Sequence, residues 1–262
     1  MAYFITGGTG FIGRFFIDKL KEREGDIYVL TREGSAHKFE ALQERFGPGS
    51  DRLIPITGDL EQPRLGLSSE VIADLRGTIE HFCHFAAVYD IGASAASQIT
   101  ANIDGTRHAI ELADALEVGN FHHVSSIAAG GMYQGTFRED MFEEAEHLDH
   151  PYFSTKHDSE GIVRSECKVP WRIYRPAMVV GHSQTGEIDK IDGVYYFFKT
   201  LQKLRKALPP WVPLVGIEGG KFNVVPVDYV VDAMDHLVHL EGREGDCFHL
   251  SNPEHHSMGK LM

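Results

Sequence analysis

Hydrophobic and polar positions along the chain fall into blocks that predict strands alternating with helices. An apolar run at 2–6 meets a glycine-rich turn, after which Phe11, Phe15 and Leu20 recur at helical spacing. Further strands are predicted at 27–30, 52–57, 79–85, 120–125 and 171–175. Helices are predicted near 35–46, 93–117 and 152–167. This alternation indicates right-handed βαβ units and a parallel sheet covered on both faces, which is a doubly wound α/β fold.

The pattern changes after residue 181. Residues 182–221 are rich in glycine, proline and aromatic side chains, and the α/β pattern returns at 222–225, followed by a strand-like run at 246–250. We therefore assign 1–181 and 222–250 to a nucleotide-binding domain, and 182–221 with 251–262 to a small, partial substrate lobe. Because nothing after residue 250 resembles a finished lobe, we expect a further domain downstream of Met262.

A glycine-rich loop, Thr-Gly-Gly-Thr-Gly-Phe-Ile-Gly at 6–13, connects the first strand to the first helix. Its glycines permit a tight turn, a close approach of backbone to pyrophosphate and close packing of helix on strand. Backbone N–H groups at the helix N-terminus favour an anion. The loop predicts a Rossmann-type dinucleotide site. Its predicted cofactor contacts are Gly7, Thr9, Gly10, Phe11, Ile12 and Gly13.

The end of the second strand bears on the choice of cofactor. NAD sites place an acidic residue there for the ribose 2′-hydroxyl, whereas this chain reads Leu-Thr-Arg-Glu at 30–33. Arg32 can pair with a 2′-phosphate through two parallel hydrogen bonds. The sequence therefore predicts NADPH/NADP as cofactor, the alternative being a surface arginine that makes no cofactor contact.

Candidate proton-transfer residues are Tyr152 and Lys156, in a helix predicted to start near Pro151. Residues four apart share one helix face, roughly 6 Å apart along the axis. A nearby ammonium is expected to lower the pKa of the phenol towards the working range. Upstream, a strand leads into Ser125-Ser126 at the edge of the sheet where ligands bind. One of these hydroxyls is expected to stabilise the oxyanion that forms during hydride attack on a carbonyl.

Composition excludes several other classes of protein. The 262 residues carry a formal net charge of −13, which disfavours nucleic acid as a partner. The three cysteines have no paired or metal-binding spacing and fit a reducing, cytoplasmic location. The 15 histidines include adjacent pairs but no helical metal motif, so no metal site is predicted. No signal peptide and no apolar run of membrane-spanning length occurs, and we expect a soluble protein.

Taken together, these motifs resemble those of the extended short-chain dehydrogenase/reductases over essentially the whole chain. The matching segments are the loop at 6–13, Gly58-Asp59-Leu60, Phe85-Ala86-Ala87, Asn102 in Asn-Ile-Asp-Gly-Thr, Ser125-Ser126, the Tyr152/Lys156 pair, Tyr174-Arg175-Pro176 and Val225-Pro226-Val227-Asp228.

The resemblance implies roles for individual residues. Asp59 and Leu60 would flank the adenine, Ala86 and Ala87 would line the cofactor, and Pro176 would lie near the nicotinamide.

In the proton-transfer set, the resemblance implies that Lys156 also holds the nicotinamide ribose and that Asn102 supports the lysine side. Ser126 fits the family's catalytic hydroxyl better than Ser125. The predicted catalytic set is therefore Ser126, Tyr152 and Lys156.

Closer features resemble the thioester-reducing branch, especially bacterial fatty acyl-CoA reductases. They are Arg14 directly after the glycine loop and the segments 86–90, 124–129 and 137–140. This resemblance implies NADPH-dependent reduction of a long-chain acyl thioester, fatty acyl-CoA, to an aldehyde, in lipid metabolism; whether a second reduction to the alcohol follows is left open. The alternatives are a reductase or epimerase acting on a sterol, flavonoid or nucleotide-sugar carbonyl, and a non-catalytic NADP-binding sensor.

The predicted lobe contains an aromatic run at 195–198, followed by four basic and no acidic side chains at 199–206. An apolar strip beside a basic patch suits an acyl chain and the phosphates of CoA. It equally suits a peripheral contact with a membrane surface, or an amphipathic helix with a solvated basic face.

Overall fold

A buried parallel sheet organises the chain. The computed structural model describes residues 1–88, 94–189, 209, 221–254 and 256–257. Its strands are β1 (Tyr3–Thr6), β2 (Ile27–Thr31), β3 (Leu53–Thr57), β4 (His81–His84), β5 (Asn120–Val124), β6 (Trp171–Pro176), β7 (Met178–Val180), β8 (Lys221–Phe222), β9 (Val224–Pro226), β10 (Cys247–Leu250) and β11 (His256–Ser257). Its α-helices are α1 (Phe11–Lys19), α2 (Ala36–Phe46), α3 (Ser69–Leu75), α4 (Ala95–Gln98), α5 (Gly105–Leu116), α6 (Pro151–Glu166) and α7 (Val227–Val238).

Seven strands form one sheet in the order β10-β6-β5-β4-β1-β2-β3, and every neighbouring pair is parallel. The chain runs from β1 outward to β3, then returns to the other side of β1 to continue with β4. The strand order therefore reverses between β1 and β4, where open α/β sheets bind ligands beyond the carboxyl ends of their strands. The predicted Rossmann-type fold is confirmed.

The pattern of β1 explains why both faces of the sheet are covered. All four of its residues are buried, and successive side chains point to opposite faces. Ile5 packs into a cluster that includes Phe16 of α1 and Met234 of α7. Phe4 packs into a second cluster that includes Ile110 of α5. These two apolar layers hold the sheet between helices on both of its faces.

One predicted helix has an irregular interior. The helix expected near 93–117 consists of α4, a π-helical segment Ile99–Asp104, and α5. Residues 89–93 lie outside the description. Widened turns of this kind re-aim side chains and occur often at functional sites. Here the π segment carries Asn102, which is buried.

Of the region 182–221, which we assigned to a substrate lobe, the structure describes 182–189, 209 and 221. Two small two-stranded sheets flank it, β7 paired with β9 and β8 paired with β11. Arg14 of α1 forms ion pairs with Glu187 and Asp189, which holds this segment against the first helix. The division into domain and lobe stays a prediction, and the basic patch at 199–206 lies outside the described residues.

No helix among the described residues is both long enough and apolar enough to span a membrane.

Candidate active site

The sequence-predicted site residues lie along the carboxyl edge of the sheet. The glycine loop follows β1, Arg32 follows β2, Asp59 and Leu60 follow β3, Ala86 and Ala87 follow β4, Ser126 follows β5 and Pro176 ends β6. Tyr152 and Lys156 lie on α6, which reaches the same edge through its hydrogen bond to the end of β5. The structure therefore brings the predicted residues to one side of the sheet.

The glycine loop has the backbone geometry that a dinucleotide requires. Gly7 adopts φ +71°, a left-handed conformation that favours glycine. A Cβ atom on Gly13 would lie 2.3 Å from the Gly7 carbonyl oxygen, which leaves no room for a side chain. Gly10 caps α1 without a side-chain hydrogen bond. The first N–H groups of this helix thus have no side-chain cap, as an anion site at a helix N-terminus requires.

The predicted nucleotide contacts beyond this loop differ in exposure. The side chain of Arg32 is exposed and forms no hydrogen bond or ion pair within the described residues. Leu60 is buried, and its carbonyl lies 2.7 Å from His108 Nδ1, which fixes the turn after β3. Ala86 donates its N–H to Thr6 Oγ1 at 3.3 Å, and this bond joins the ends of β1 and β4. The side chain of Arg32, directly after β2, is therefore accessible to a ligand.

The two serines after β5 have separate environments. Ser125 is buried, and its hydroxyl donates to Glu160 Oε2 at 3.1 Å. Ser126 is partly exposed and accepts the Ala128 N–H at 3.1 Å, and its hydroxyl lies close enough to the Tyr152 phenol to lower the pKa of that phenol. Ser126 is therefore the serine with a hydroxyl directed to the proposed acid. The choice of Ser126 over Ser125 as the catalytic hydroxyl stays a prediction.

Tyr152 differs from the sequence prediction in the direction of its pKa shift. Burial raises the pKa of the phenol above its ordinary value, and the neighbouring Ser126 hydroxyl opposes this shift. The predicted lowering by Lys156 is wrong for this arrangement, because the lysine ammonium donates to the Val124 carbonyl at 3.3 Å. Tyr152 is therefore a phenol at neutral pH, which is the form that donates a proton.

Lys156 lies on the buried face of α6, and 4% of its surface is exposed. Burial lowers its pKa to about 8, while the carboxylate of Glu160, one turn further along the helix, opposes this shift. The lysine therefore titrates close to physiological pH. A group in this range can exchange a proton with its surroundings during turnover.

Asn102, in the π-helical segment, forms a hydrogen bond with the N-terminal part of α6. Its side-chain oxygen accepts the Val88 N–H at 2.7 Å, and its amide donates to the Val88 carbonyl at 3.0 Å and to Thr155 Oγ1 at 3.2 Å. Thr155 directly precedes Lys156. Asn102 thus contacts the hydroxyl of Thr155, the residue next to Lys156, on the side of the site where its support of the lysine was predicted.

The side chain that caps α6 was not predicted from the sequence. His150 Nδ1 accepts the backbone N–H of Tyr152 at 3.1 Å, and Pro151 occupies the first turn. A polar residue directly before a proline at a helix start is a usable capping signal, although serine, threonine or aspartate is the usual type. The cap fixes the backbone that carries Tyr152.

Comparisons with known proteins place the chain in a family. The model of the male sterility protein family matches residues 5–234. A subunit of the linear gramicidin synthase of Brevibacillus parabrevis is 33% identical over 96% of this chain and 5% of its own length. A Drosophila melanogaster protein described as a candidate fatty acyl-CoA reductase, CG8303, is 24% identical over 88% of this chain and 50% of its own length.

A solved structure shares both fold and sequence with the chain. The terminal R domain from the myxalamid PKS-NRPS biosynthetic pathway superimposes with a TM-score of 0.86 at 27% identity. The match covers 99% of this chain and 68% of that domain. The chain thus spans only a small part of the gramicidin synthase subunit and about half of the fly protein.

The family match covers most of the chain, and the fold and glycine loop are those of a nucleotide-binding oxidoreductase. The cofactor class is NAD(P). The chain belongs to the male sterility protein family, in the thioester-reductase branch of the extended short-chain dehydrogenase/reductases.

Proposed function

We propose that the protein reduces an acyl thioester with NADPH to give an aldehyde and a free thiol. The observation that carries the proposal is that the Ser126 hydroxyl lies close enough to the Tyr152 phenol to lower its pKa, at the sheet edge that also carries the glycine loop. A hydroxyl pair of this kind can bind the oxygen of a carbonyl and protonate it.

The protein's own residues would perform the proton chemistry and the positioning. N–H groups after Gly10 and the side chain of Arg32 would bind the cofactor phosphates. Ser126 would hold the thioester oxygen, and Tyr152 would transfer its proton to that oxygen. Lys156 would supply the proton that returns Tyr152 to its phenol form. Bound NADPH supplies the hydride.

The bonds and protons balance for this reaction. One hydride adds to the carbonyl carbon and one proton to its oxygen, and the hemithioacetal then loses the thiol to leave an aldehyde. A second hydride and a second proton would convert the aldehyde to an alcohol. We propose the aldehyde as first product and the alcohol as the product of a second turnover.

NADPH is favoured over NADH by the residue at the end of β2. Arg32 is exposed and has no ion-pair partner within the described residues, so its guanidinium is available to a 2′-phosphate. The neighbouring Glu33 is also exposed. An acidic residue in place of Arg32 would favour the 2′-hydroxyl of NAD instead.

The acyl group that we propose first is a long-chain fatty acyl-CoA. It is supported by the motifs at 124–129 and 137–140 and by the similarity to the fly protein. The second candidate is a thioester held on a carrier domain of a larger synthase. It is supported by the 33% identity to the gramicidin synthase subunit and the 27% identity to the R domain. We also propose a cytoplasmic location and a further domain after Met262.

The experiment that separates these substrates is oxidation of NADPH by the full-length protein, with products identified by mass spectrometry. Palmitoyl-CoA and a palmitoyl-loaded carrier domain are compared, with NADH and a UDP-sugar as controls. Aldehyde from either thioester supports the proposal, and the faster thioester identifies the carrier. Turnover of the UDP-sugar with no aldehyde from either thioester would overturn it.

A further inference from the structure

A buried carboxylate, Glu160, lies one helical turn beyond Lys156 on α6 and is fully enclosed. Its two oxygens accept hydrogen bonds from three side chains on three segments of the chain. Ser125 donates at 3.1 Å, Arg175 at 3.0 and 2.5 Å, and Arg164 at 3.0 and 2.8 Å. An enclosed carboxylate with this many charged donors stays ionised in the folded protein.

Each partner of Glu160 on the sheet is a direct neighbour of a residue at the edge of the site. Ser125 precedes Ser126, at the end of β5, and Arg175 precedes Pro176, at the end of β6. The helix that carries Glu160 also carries Tyr152 and Lys156. One carboxylate thus joins the end of β5, which holds the proposed oxyanion donor, to α6, which holds the proton donor and the lysine, and to β6, which ends at Pro176.

Arg175 extends this connection to the loop that follows Ser126. Its guanidinium donates to the carbonyl oxygens of Met141 at 2.9 Å and Arg138 at 3.4 Å. It also lies 5.1 Å from the centre of the Phe137 ring and 3.2 Å from His249 Nε2. The loop that starts at the catalytic serine is therefore held by the same buried ion pair.

The charges that face Lys156 come from three elements. Glu160 contributes a negative charge from its own helix, and His84 of β4 and His123 of β5 face it from the sheet. Burial holds both imidazoles neutral at physiological pH by lowering the pKa of each. Glu160 is consequently the anionic group that stabilises the Lys156 ammonium in this part of the described structure.

We propose that Glu160 is a positioning residue for the reaction: through Ser125 it orients Ser126, and through its charge it keeps Lys156 protonated. The predicted effect of Glu160 on catalysis rests on the proposed function. The lysine part of the inference is independent of the substrate.

The test is Glu160→Gln in the full-length protein, which removes the charge and keeps the shape. We expect kcat to fall about 10- to 100-fold with the KM for NADPH unchanged, because the proton-transfer groups lose their alignment. We expect the high-pH limb of kcat to move to lower pH by about one pH unit. The titration of Lys156, followed by NMR of lysine labelled with ¹³C at Cε, should move in the same direction.

The matched control is Glu244→Gln, since Glu244 pairs at 3.1 Å with Arg172, a buried arginine on the same strand as Arg175. This variant should keep the wild-type kcat and pH profile. Ser125→Ala should lower kcat without moving the Lys156 titration, and Ser125→Thr should restore it. Where Glu160→Gln does not fold, the double variant Glu160→Met/Arg175→Met removes both charges of the pair and is measured in its place.

Loss of kcat together with a shifted Lys156 titration supports the inference. Loss of kcat with an unshifted titration indicates a structural role alone and overturns it, as does a shifted titration with wild-type kcat. If the wild type reduces no thioester, the proposed function fails. The lysine titration then decides alone whether Glu160 sets the charge of Lys156.

Discussion

The amide of Asn102 donates a hydrogen bond of 3.2 Å to Thr155 Oγ1, and this bond joins the π-helical segment to the helix that carries Tyr152 and Lys156. The same side chain satisfies both backbone groups of Val88, in the segment that follows β4. Asn102 therefore connects α6 with the segment after β4, which is predicted to line the cofactor.

The first prediction concerns this connection. Asn102→Ala leaves the N–H and carbonyl of Val88 without their partner, so the free energy of unfolding should fall by about 2–4 kcal/mol. Misplacement of Lys156 should also lower kcat about tenfold or more. Thr155→Val removes only the hydroxyl and is the matched control, with the smaller loss of stability. Equal stability of Asn102→Ala and the wild type in urea unfolding would contradict the account.

A second prediction tests cofactor choice. Arg32→Glu should raise the KM for NADPH far more than the KM for NADH, because a carboxylate repels the 2′-phosphate and accepts the 2′-hydroxyl. Steady-state kinetics with both cofactors measures this difference. The adjacent Glu33→Gln should leave the KM for NADPH unchanged or lower. An equal change in both KM values in Arg32→Glu means that the arginine makes no contact with the cofactor.

A third prediction concerns the glycine loop. In Gly13→Ala the new Cβ would lie 2.3 Å from the Gly7 carbonyl oxygen, so the loop must move. NADPH affinity, measured by fluorescence titration, should fall at least tenfold. Gly242→Ala is the control, because Gly242 has φ +69° and no atom near the new Cβ. It should lose about 1 kcal/mol of stability and bind NADPH normally. Normal NADPH binding by Gly13→Ala would show that this loop does not hold the cofactor.

The fourth prediction gives opposite signs for activity and stability above neutral pH. Lys156 has its pKa lowered to about 8 in the folded protein, from an ordinary value of 10.5. Between these values the unfolded chain binds more protons, so the contribution of this group to folding stability rises with pH. Turnover needs the ammonium and should fall as pH rises through about 8. The raised pKa of Tyr152 keeps the phenol protonated over this range.

Comparison with Lys156→Met isolates this effect. The variant should lose turnover and also lose the stability increase between pH 8 and 10. Measurement of kcat and of thermal unfolding from pH 6 to 10 provides both curves. A wild-type kcat that stays constant up to pH 10 would contradict the requirement for a charged lysine.

The sequence predicts the sheet and its ligand-binding edge because apolar runs and glycine turns are local signals. The central strands and the glycine loop lie where the periodicity places them, and the helix at Pro151 begins as predicted. By contrast, α3 and α7 have no counterpart among the predicted elements. Short helices such as α3 carry few apolar repeats, and α7 directly follows β9 without a separating turn.

Properties that depend on contacts between distant segments could not be predicted from the sequence. The spacing of Tyr152 and Lys156 was expected to lower the pKa of the phenol, but burial acts in the opposite direction. The partner of Ser125 is Glu160, 35 residues away, so its separate role from Ser126 appears only in the fold. One local feature was also missed, the cap that His150 provides to the N–H of Tyr152, because histidine is an unusual capping residue.

The central claim is that Tyr152 protonates the oxygen of a thioester during reduction by NADPH. The most direct measurement compares aldehyde formation from acyl thioester by the full-length wild type and by Tyr152→Phe, with NADPH affinity determined for both. The account predicts loss of turnover by at least about 100-fold with NADPH affinity nearly unchanged. Aldehyde formation by Tyr152→Phe at a rate close to that of the wild type would contradict it.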